Sequence, residues 1–332
     1  MTRLILALAV LLALTGTARA GGPEYCKQGL SAHRASKLDL AIEYYTRCID
    51  YGDVTQKHLA RAFNNRGFAY YEKGEYDRAI ADYDRAIQLT PDYAYAFSNR
   101  GNVYDHKGEY DRAIADYDQV IRLKPDHALS FYNRGIAYRL KGEYEQAIRD
   151  YDRAIELKPD YANAFVNRGI AYRLKGEYNR AIRDYDQAIR LNPDSANAFN
   201  SRGNAYDDKG EYDRAIADYD QAIRLNPDYA IAYDNKASAL NGKAWELATS
   251  RSAYKRDGLE AVRVANEAVR INDKPSHRDT LAAAFAEAGR FDDAVAEQER
   301  VIEMAQAVGM HDQIADLQSR LDLYRQHRPY RE

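Results

Sequence analysis

Residues 94–127 read AYAFSNRGNVYDHKGEYDRAIADYDQVIRLKPDH. In the first half, Phe97, Gly101 and Tyr104 recur at spacings of four and three, the period of one helix face. Lys107-Gly108 stops that helix, because glycine tolerates the left-handed backbone just past a helix end and a cation there favours the last carbonyls. From Glu109 a second helix carries Tyr110, Ala113, Ile114, Tyr117, Val120 and Ile121 on a broad apolar face. Lys124-Pro125-Asp126 ends it: proline cannot continue the hydrogen-bond ladder, and aspartate is a good cap for the helix that follows. The stretch predicts two antiparallel helices joined by a tight turn.

The same hairpin recurs. Gly-Glu-Tyr begins at residues 74, 108, 142, 176 and 210, always 34 residues apart, so each unit covers the apolar face of its neighbour in a stacked array. Small residues fill fixed columns, Gly67, Gly101, Gly135, Gly169 and Gly203 on the first helix and Ala79, Ala113, Ala147, Ala181 and Ala215 on the second. A mid-helix glycine costs about 1 kcal/mol against alanine, so its recurrence predicts a helix contact with no room for a methyl group. Three tyrosine columns, typified by Tyr104, Tyr110 and Tyr117, account for much of the chain's 29 Tyr. Their helical spacing makes them core rather than a stacking platform for bases or sugars, with hydroxyls expected to reach water or backbone.

This pattern resembles the tetratricopeptide repeat, which has a large residue at position four, Gly or Ala at eight, Tyr at eleven, Ala at twenty, an aromatic at twenty-four, Ala at twenty-seven and Pro at thirty-two. In 94–127 those positions hold Phe97, Gly101, Tyr104, Ala113, Tyr117, Val120 and Pro125, with Val120 the one departure. Units 60–93, 94–127, 128–161, 162–195 and 196–229 match closely. The resemblance implies an all-α, right-handed superhelical solenoid with an inner groove lined by the first helix of each repeat. Residues 21–59 read as a divergent first repeat, with Gly29, Ala41 and Cys48 in the small-residue positions and a spacing of 38 residues to the next unit. Register breaks after Asp228, a new alignment starts near 242 with Trp245 as its large residue, and Ser250–Gly258 reads as an expanded loop. Residues 230–308 are therefore expected to form irregular units, and 309–332 a capping helix with Ile314, Leu317, Leu321 and Tyr324 on one stripe.

Residues 1–20 have the pattern of an export signal: Arg3, an apolar run from Leu4 to Leu14, then Ala18-Arg19-Ala20 before the expected cleavage point. The run is short of the roughly 20 residues a spanning helix needs, so no membrane span is expected after its removal. The 332-residue chain carries a formal charge of −3, or −5 without residues 1–20, which offers nucleic acid no basic face. The two cysteines, Cys26 and Cys48, would meet an oxidising compartment after export. They read either as a disulfide or as two small buried hydrophobes, and their place on the paired helices of the first hairpin favours a staple.

Carried onto the groove positions, the resemblance places Asn65, Asn99, Asn133 and Asn167 at position six as a ladder of carboxamides. Each offers donor and acceptor together, which suits the backbone of an extended peptide. Positions twelve and thirteen vary: Asp105-His106, Arg139-Leu140, Arg173-Leu174 and Asp207-Asp208. That order predicts a ligand with acidic and apolar residues in its middle and positive charge toward its ends. Position five holds no lysine, so a clamp for a C-terminal carboxylate is not expected. The seven histidines share no metal-ligand spacing, and the repeated Asp-Tyr-Asp reads as a solvated face rather than an acid/base pair. The expected function is a non-catalytic scaffold in a bacterial envelope that binds a protein or peptide in its groove and needs no cofactor or metal. Two rivals are an assembly factor for envelope, secretion or pilus machinery acting through edges or the convex face, and an enzyme or sugar-binding site between Trp245 and Gly258.

Overall fold

The structure, a computed structural model, describes residues 21–332, so the expected export signal lies outside the described residues. Those residues form 17 α-helices and no strand. They divide into two compact units that meet in sequence at Pro159-Asp160.

The first unit contains four helix pairs: α1 (Gly22–Arg34) with α2 (Leu38–Tyr51), α3 (Gln56–Glu72) with α4 (Tyr76–Leu89), α5 (Ala94–His106) with α6 (Tyr110–Leu123), and α7 (Ala128–Leu140) with α8 (Tyr144–Leu157). The second contains α9 (Ala162–Leu174) with α10 (Tyr178–Leu191), α11 (Ala196–Asp207) with α12 (Tyr212–Leu225), α13 (Ala230–Thr249) with α14 (Gly258–Ile271), and α15 (Pro275–Glu287) with α16 (Phe291–Ala307), closed by α17 (Ile314–Arg325). The turn inside a pair is set by glycine: Gly108 has φ +74°, its N–H reaches the Asp105 carbonyl at 3.0 Å, and the Glu109 N–H reaches that of Tyr104 at 2.8 Å. Orphan carbonyls at the end of α5 are thereby satisfied within two residues.

Each of the five regular pairs closes around its position-twenty-four tyrosine. Tyr83, Tyr117, Tyr151, Tyr185 and Tyr219 are fully buried, and a methyl group on Gly101 would stand 2.9 Å from the Tyr117 ring. At the amino-terminal end the Cys26–Cys48 disulfide joins α1 to α2, with the two Cα atoms 5.2 Å apart.

Three findings differ from the sequence reading. First, α13 runs unbroken from Ala230 to Thr249, with no new start near 242. Gly242, inside it, is a packing glycine: a methyl group there would lie 2.7 Å from the Tyr212 ring. Second, the first aspartate of each Asp-Tyr-Asp is buried, not solvated. Asp116 receives Nε and Nη2 of Arg100 at 2.8 and 2.6 Å, Asp150 is held likewise by Arg134, and Asp218 by Arg202. The second aspartate then links adjacent repeats, as Asp118 does by accepting from Arg134 at 2.5 Å. Third, the position-twenty-four hydroxyls do not reach water or backbone. Those of Tyr83, Tyr151 and Tyr185 make no hydrogen bond of ordinary geometry, although Arg139 and Arg173 stand beside the last two, while Tyr117 and Tyr219 donate to side chains of their own repeat.

Candidate functional site

The expected groove residues lie on α3, α5 and α7 in the first unit and on α9 and α11 in the second. The ladder asparagines are half-buried, and much of their hydrogen bonding is spent inside the array. Asn99 Nδ2 donates to Asn64 Oδ1 at 3.0 Å, Asn65 Oδ1 accepts from Asn64 at 3.2 Å, and Asn133 Nδ2 donates to Asn102 Oδ1 at 3.2 Å. Asn167 donates to the Asn163 carbonyl of its own helix at 3.0 Å. In the second unit Asn235 donates to both Asn200 and Asn204 at 3.0 Å. At Asn99, Asn133 and Asn235 the position-six carboxamide therefore joins its repeat to position five or nine, or both, of the repeat before. The sequence reading followed one column and missed these partners in its neighbours.

Position nine has a second duty. Where it is asparagine it accepts from the buried tyrosine of its own repeat: Tyr117 OH to Asn102 and Tyr219 OH to Asn204, both at 2.8 Å. Where it is Leu30, Phe68, Ile136 or Ile170, position nine offers no acceptor to the hydroxyls of Tyr45, Tyr83, Tyr151 and Tyr185.

Positions twelve and thirteen form rungs between successive repeats. His33 Nε2 lies 2.7 Å from Glu72 Oε2, and the Tyr71 hydroxyl lies 2.6 Å from His106 Nε2. In the second unit Arg173 Nη1 donates to Asp208 Oδ2 at 2.8 Å. Within the first unit Asp105 breaks this series. The residue at position thirteen after it is Leu140, which cannot pair with a charge. Leu140 is instead 46% exposed, high for leucine.

Asp105 and Arg139 show the consequence. Asp105 Oδ2 lies 2.8 Å from the Tyr117 hydroxyl while its buried Oδ1 has no partner. Burial pushes its pKa up to about 6, against the opposing effects of the Tyr117 hydrogen bond and His106. Arg139 has no carboxylate partner among the described residues, its buried Nε is unpaired, and its charge lies beside Tyr132 and Tyr151. In the second unit, burial and then the charge of Asp208 push Asp207 up to about 6 as well.

In the carboxy-terminal block, structural contacts hold Trp245 and the loop after α13 at the edge of an open cavity of about 680 Å3. Trp245 Nε1 donates to Glu332 at 2.7 Å, its ring lies 5.8 Å from that of Tyr330, and the Glu332 N–H bonds to the Thr249 carbonyl at 3.1 Å. Arg256 braces the loop after α13 by donating to the carbonyls of Ser250 and Arg251 at 2.8 and 3.1 Å and to Glu287 at 3.0 Å. Among the described residues no group of three or more His, Cys, Asp or Glu is placed to hold a metal, and no helix is long and apolar enough to cross a membrane.

Sequence comparison matches the TPR repeat family over residues 67–105, 137–174 and 169–207, and the tetratricopeptide repeat over 94–127, 116–149 and 196–229. No curated protein sequence matches. Among solved structures, a tetratricopeptide repeat protein from Parabacteroides merdae shares 19% identity, covering 80% of this chain and 98% of its own, with a TM-score of 0.60. The carboxy-terminal part of a TPR repeat-containing protein from Cytophaga hutchinsonii shares 19% identity over 77% of this chain and 98% of its own, with a TM-score of 0.63. MamA shares 29% identity over 50% of this chain and 96% of its own, with a TM-score of 0.46. The first two likenesses establish the fold, and with the sequence matches across 67–229 they show that the repeats of this chain belong to the tetratricopeptide repeat family.

Proposed function

We propose that the first unit captures an extended segment of a partner protein on the face formed by the first helices of its repeats, with Asp105, Arg139 and Leu140 as the selective contacts. The fold supports a protein-interaction scaffold in general. The finer reading rests on one observation: rungs close between the first three hairpins of the unit, the next one, from Asp105, is left open, and Arg139 beyond it has a buried nitrogen without a partner. A buried guanidinium nitrogen and a buried carboxylate oxygen without partners are costly, and a ligand that satisfies them recovers that cost on binding. The segment expected is one whose acidic side chain meets Arg139 and whose neighbouring apolar side chain covers Leu140. Remaining carboxamide capacity on Asn99 and Asn133 would hold its backbone. Arg173, paired with Asp208, has a smaller role than the sequence reading gave it.

We further propose that the protein works after export to an oxidising bacterial compartment, as the Cys26–Cys48 disulfide and the pattern of residues 1–20 support. Peptides with an acidic-apolar core test the capture reading by fluorescence anisotropy. Arg139→Glu should weaken binding about tenfold or more, a loss near 1.4 kcal/mol, with Arg173→Glu much milder. Equal losses in the two variants, or none in either, would remove Arg139 from the site.

A further inference from the structure

The first two hairpins enclose a cavity of about 440 Å3 that owes its shape to the departures of 21–59 from the regular repeat. Between regular units the link is a short Pro-Asp turn; here it is Gly52–Thr55, and Asp53 Oδ1 accepts from the Gly22 N–H at 2.8 Å, fixing the link to the start of α1. Pro23, Leu30, Val54, Ala62 and the Cys26 half of the disulfide supply apolar wall.

Polar groups are few and converge. Tyr45 lines the cavity while 1% exposed; position nine of its repeat is Leu30, and its hydroxyl makes no hydrogen bond of ordinary geometry, the Asn65 side chain of the same lining being the polar group that faces it. Burial pushes that hydroxyl's pKa up to about 12, so it remains a donor at neutral pH. Lys27, His58 and Arg61 also line the cavity. Arg61 has no carboxylate partner among the described residues, and the nearest to Lys27 is Glu24 at 3.8 Å. His58 stands in the first turn of α3, its Nδ1 2.7 Å from the Thr55 hydroxyl that caps the helix, where unpaired backbone N–H groups favour an anion. The one carboxylate in the lining, Asp53, is already engaged with the start of α1.

We propose that this cavity binds a small amphiphilic carboxylate, an apolar body about the size of one aromatic or branched side chain bearing a single free carboxylate. The body displaces water from the wall around Leu30 and Val54, and the carboxylate meets Arg61 and the start of α3. The Tyr45 hydroxyl gains the acceptor that its own repeat withholds. The volume lies toward the lower end of the roughly 300–1,000 Å3 range of small-molecule sites, which limits the ligand to a compact acid. This site stands independently of the capture reading.

Isothermal titration of the purified protein with 3-phenylpropionate and octanoate, beside 3-phenylpropanamide and octanol, tests it. The carboxylates should bind about tenfold tighter than their neutral counterparts, and Arg61→Gln, a change at an exposed position, should remove that preference. Leu30→Trp should abolish binding by filling the space. Tyr45→Phe should weaken binding several-fold; a purely structural hydroxyl would leave affinity unchanged. Equal binding of acids and neutral analogues, acids bound by Leu30→Trp as by the wild type, or binding only of peptides ending in an apolar residue and not of the small acids would each overturn the proposal.

Discussion

A methyl group on Gly135 would stand 2.7 Å from the Tyr151 ring. Gly135→Ala therefore sets two effects against each other: about 1 kcal/mol gained in helix propensity and about 1–3 kcal/mol lost to overpacking. Because Tyr151 is fully buried and has nowhere to move, the loss should win, and chemical denaturation should show a less stable protein. Asp105 gives a sharper test, since its sign changes with pH. Its folded pKa, about 6, lies above the ordinary carboxyl value, so its protonated form is favoured in the folded state. The resulting stability is present in full below about pH 4 and is lost as pH rises through 6. Asp105→Asn keeps a group that can pair with Tyr117 and removes the charge. It should raise stability near pH 7.5 by on the order of 1 kcal/mol, after allowance for partial exposure, and the gain should vanish near pH 4 in paired thermal melts.

At the scale of the helix pair, the columns of Gly, Ala and Tyr were legible because each fulfils one packing duty and recurs every 34 residues. What a single column hides is pairing between columns. The rungs of His33 with Glu72 and Tyr71 with His106 join position twelve of one repeat to thirteen of the next, so they emerge only when the two are read one repeat out of step. The same offset marks Asp105 as lacking a partner, through Leu140. Asp-Tyr-Asp was misread for a related reason: alternating charges on a helix look solvated until the arginine sixteen residues earlier is found to reach in beneath. That arginine makes a further test. Arg134→Met leaves Asp150 buried without its ion-pair partner and should cost about 3–5 kcal/mol. Replacing both Arg134 and Asp150 by apolar residues of similar volume should recover most of that loss, as urea titration of the single and double variants would show.

For the chain as a whole, a stacked array has ends, and each end must be finished differently from the middle. In the first unit the end is held by a disulfide and a lengthened link. In the second, α17 buries Leu317 and Tyr324 against α15 and α16, and the following tail returns to α13 to place Tyr330 and Glu332 on Trp245. The reading of residues 309–332 as a cap had the α17 stripe to go on; the return to Trp245 had no periodicity to announce it. Removing residues 309–332 should expose Val301, Ala305 and Ala282 to water and strip Trp245 of its ring neighbour and carboxylate partner together. Because stability in such an array is a sum of contacts between neighbours, the loss should be graded with distance. Amide exchange should accelerate most in α15 and α16, less in α13 and α14, and least in α9 and α10, with a red-shifted emission from the chain's single tryptophan. Uniform acceleration from α9 to α16 would show instead that the second unit unfolds as one cooperative body, in which the cap supports every helix equally.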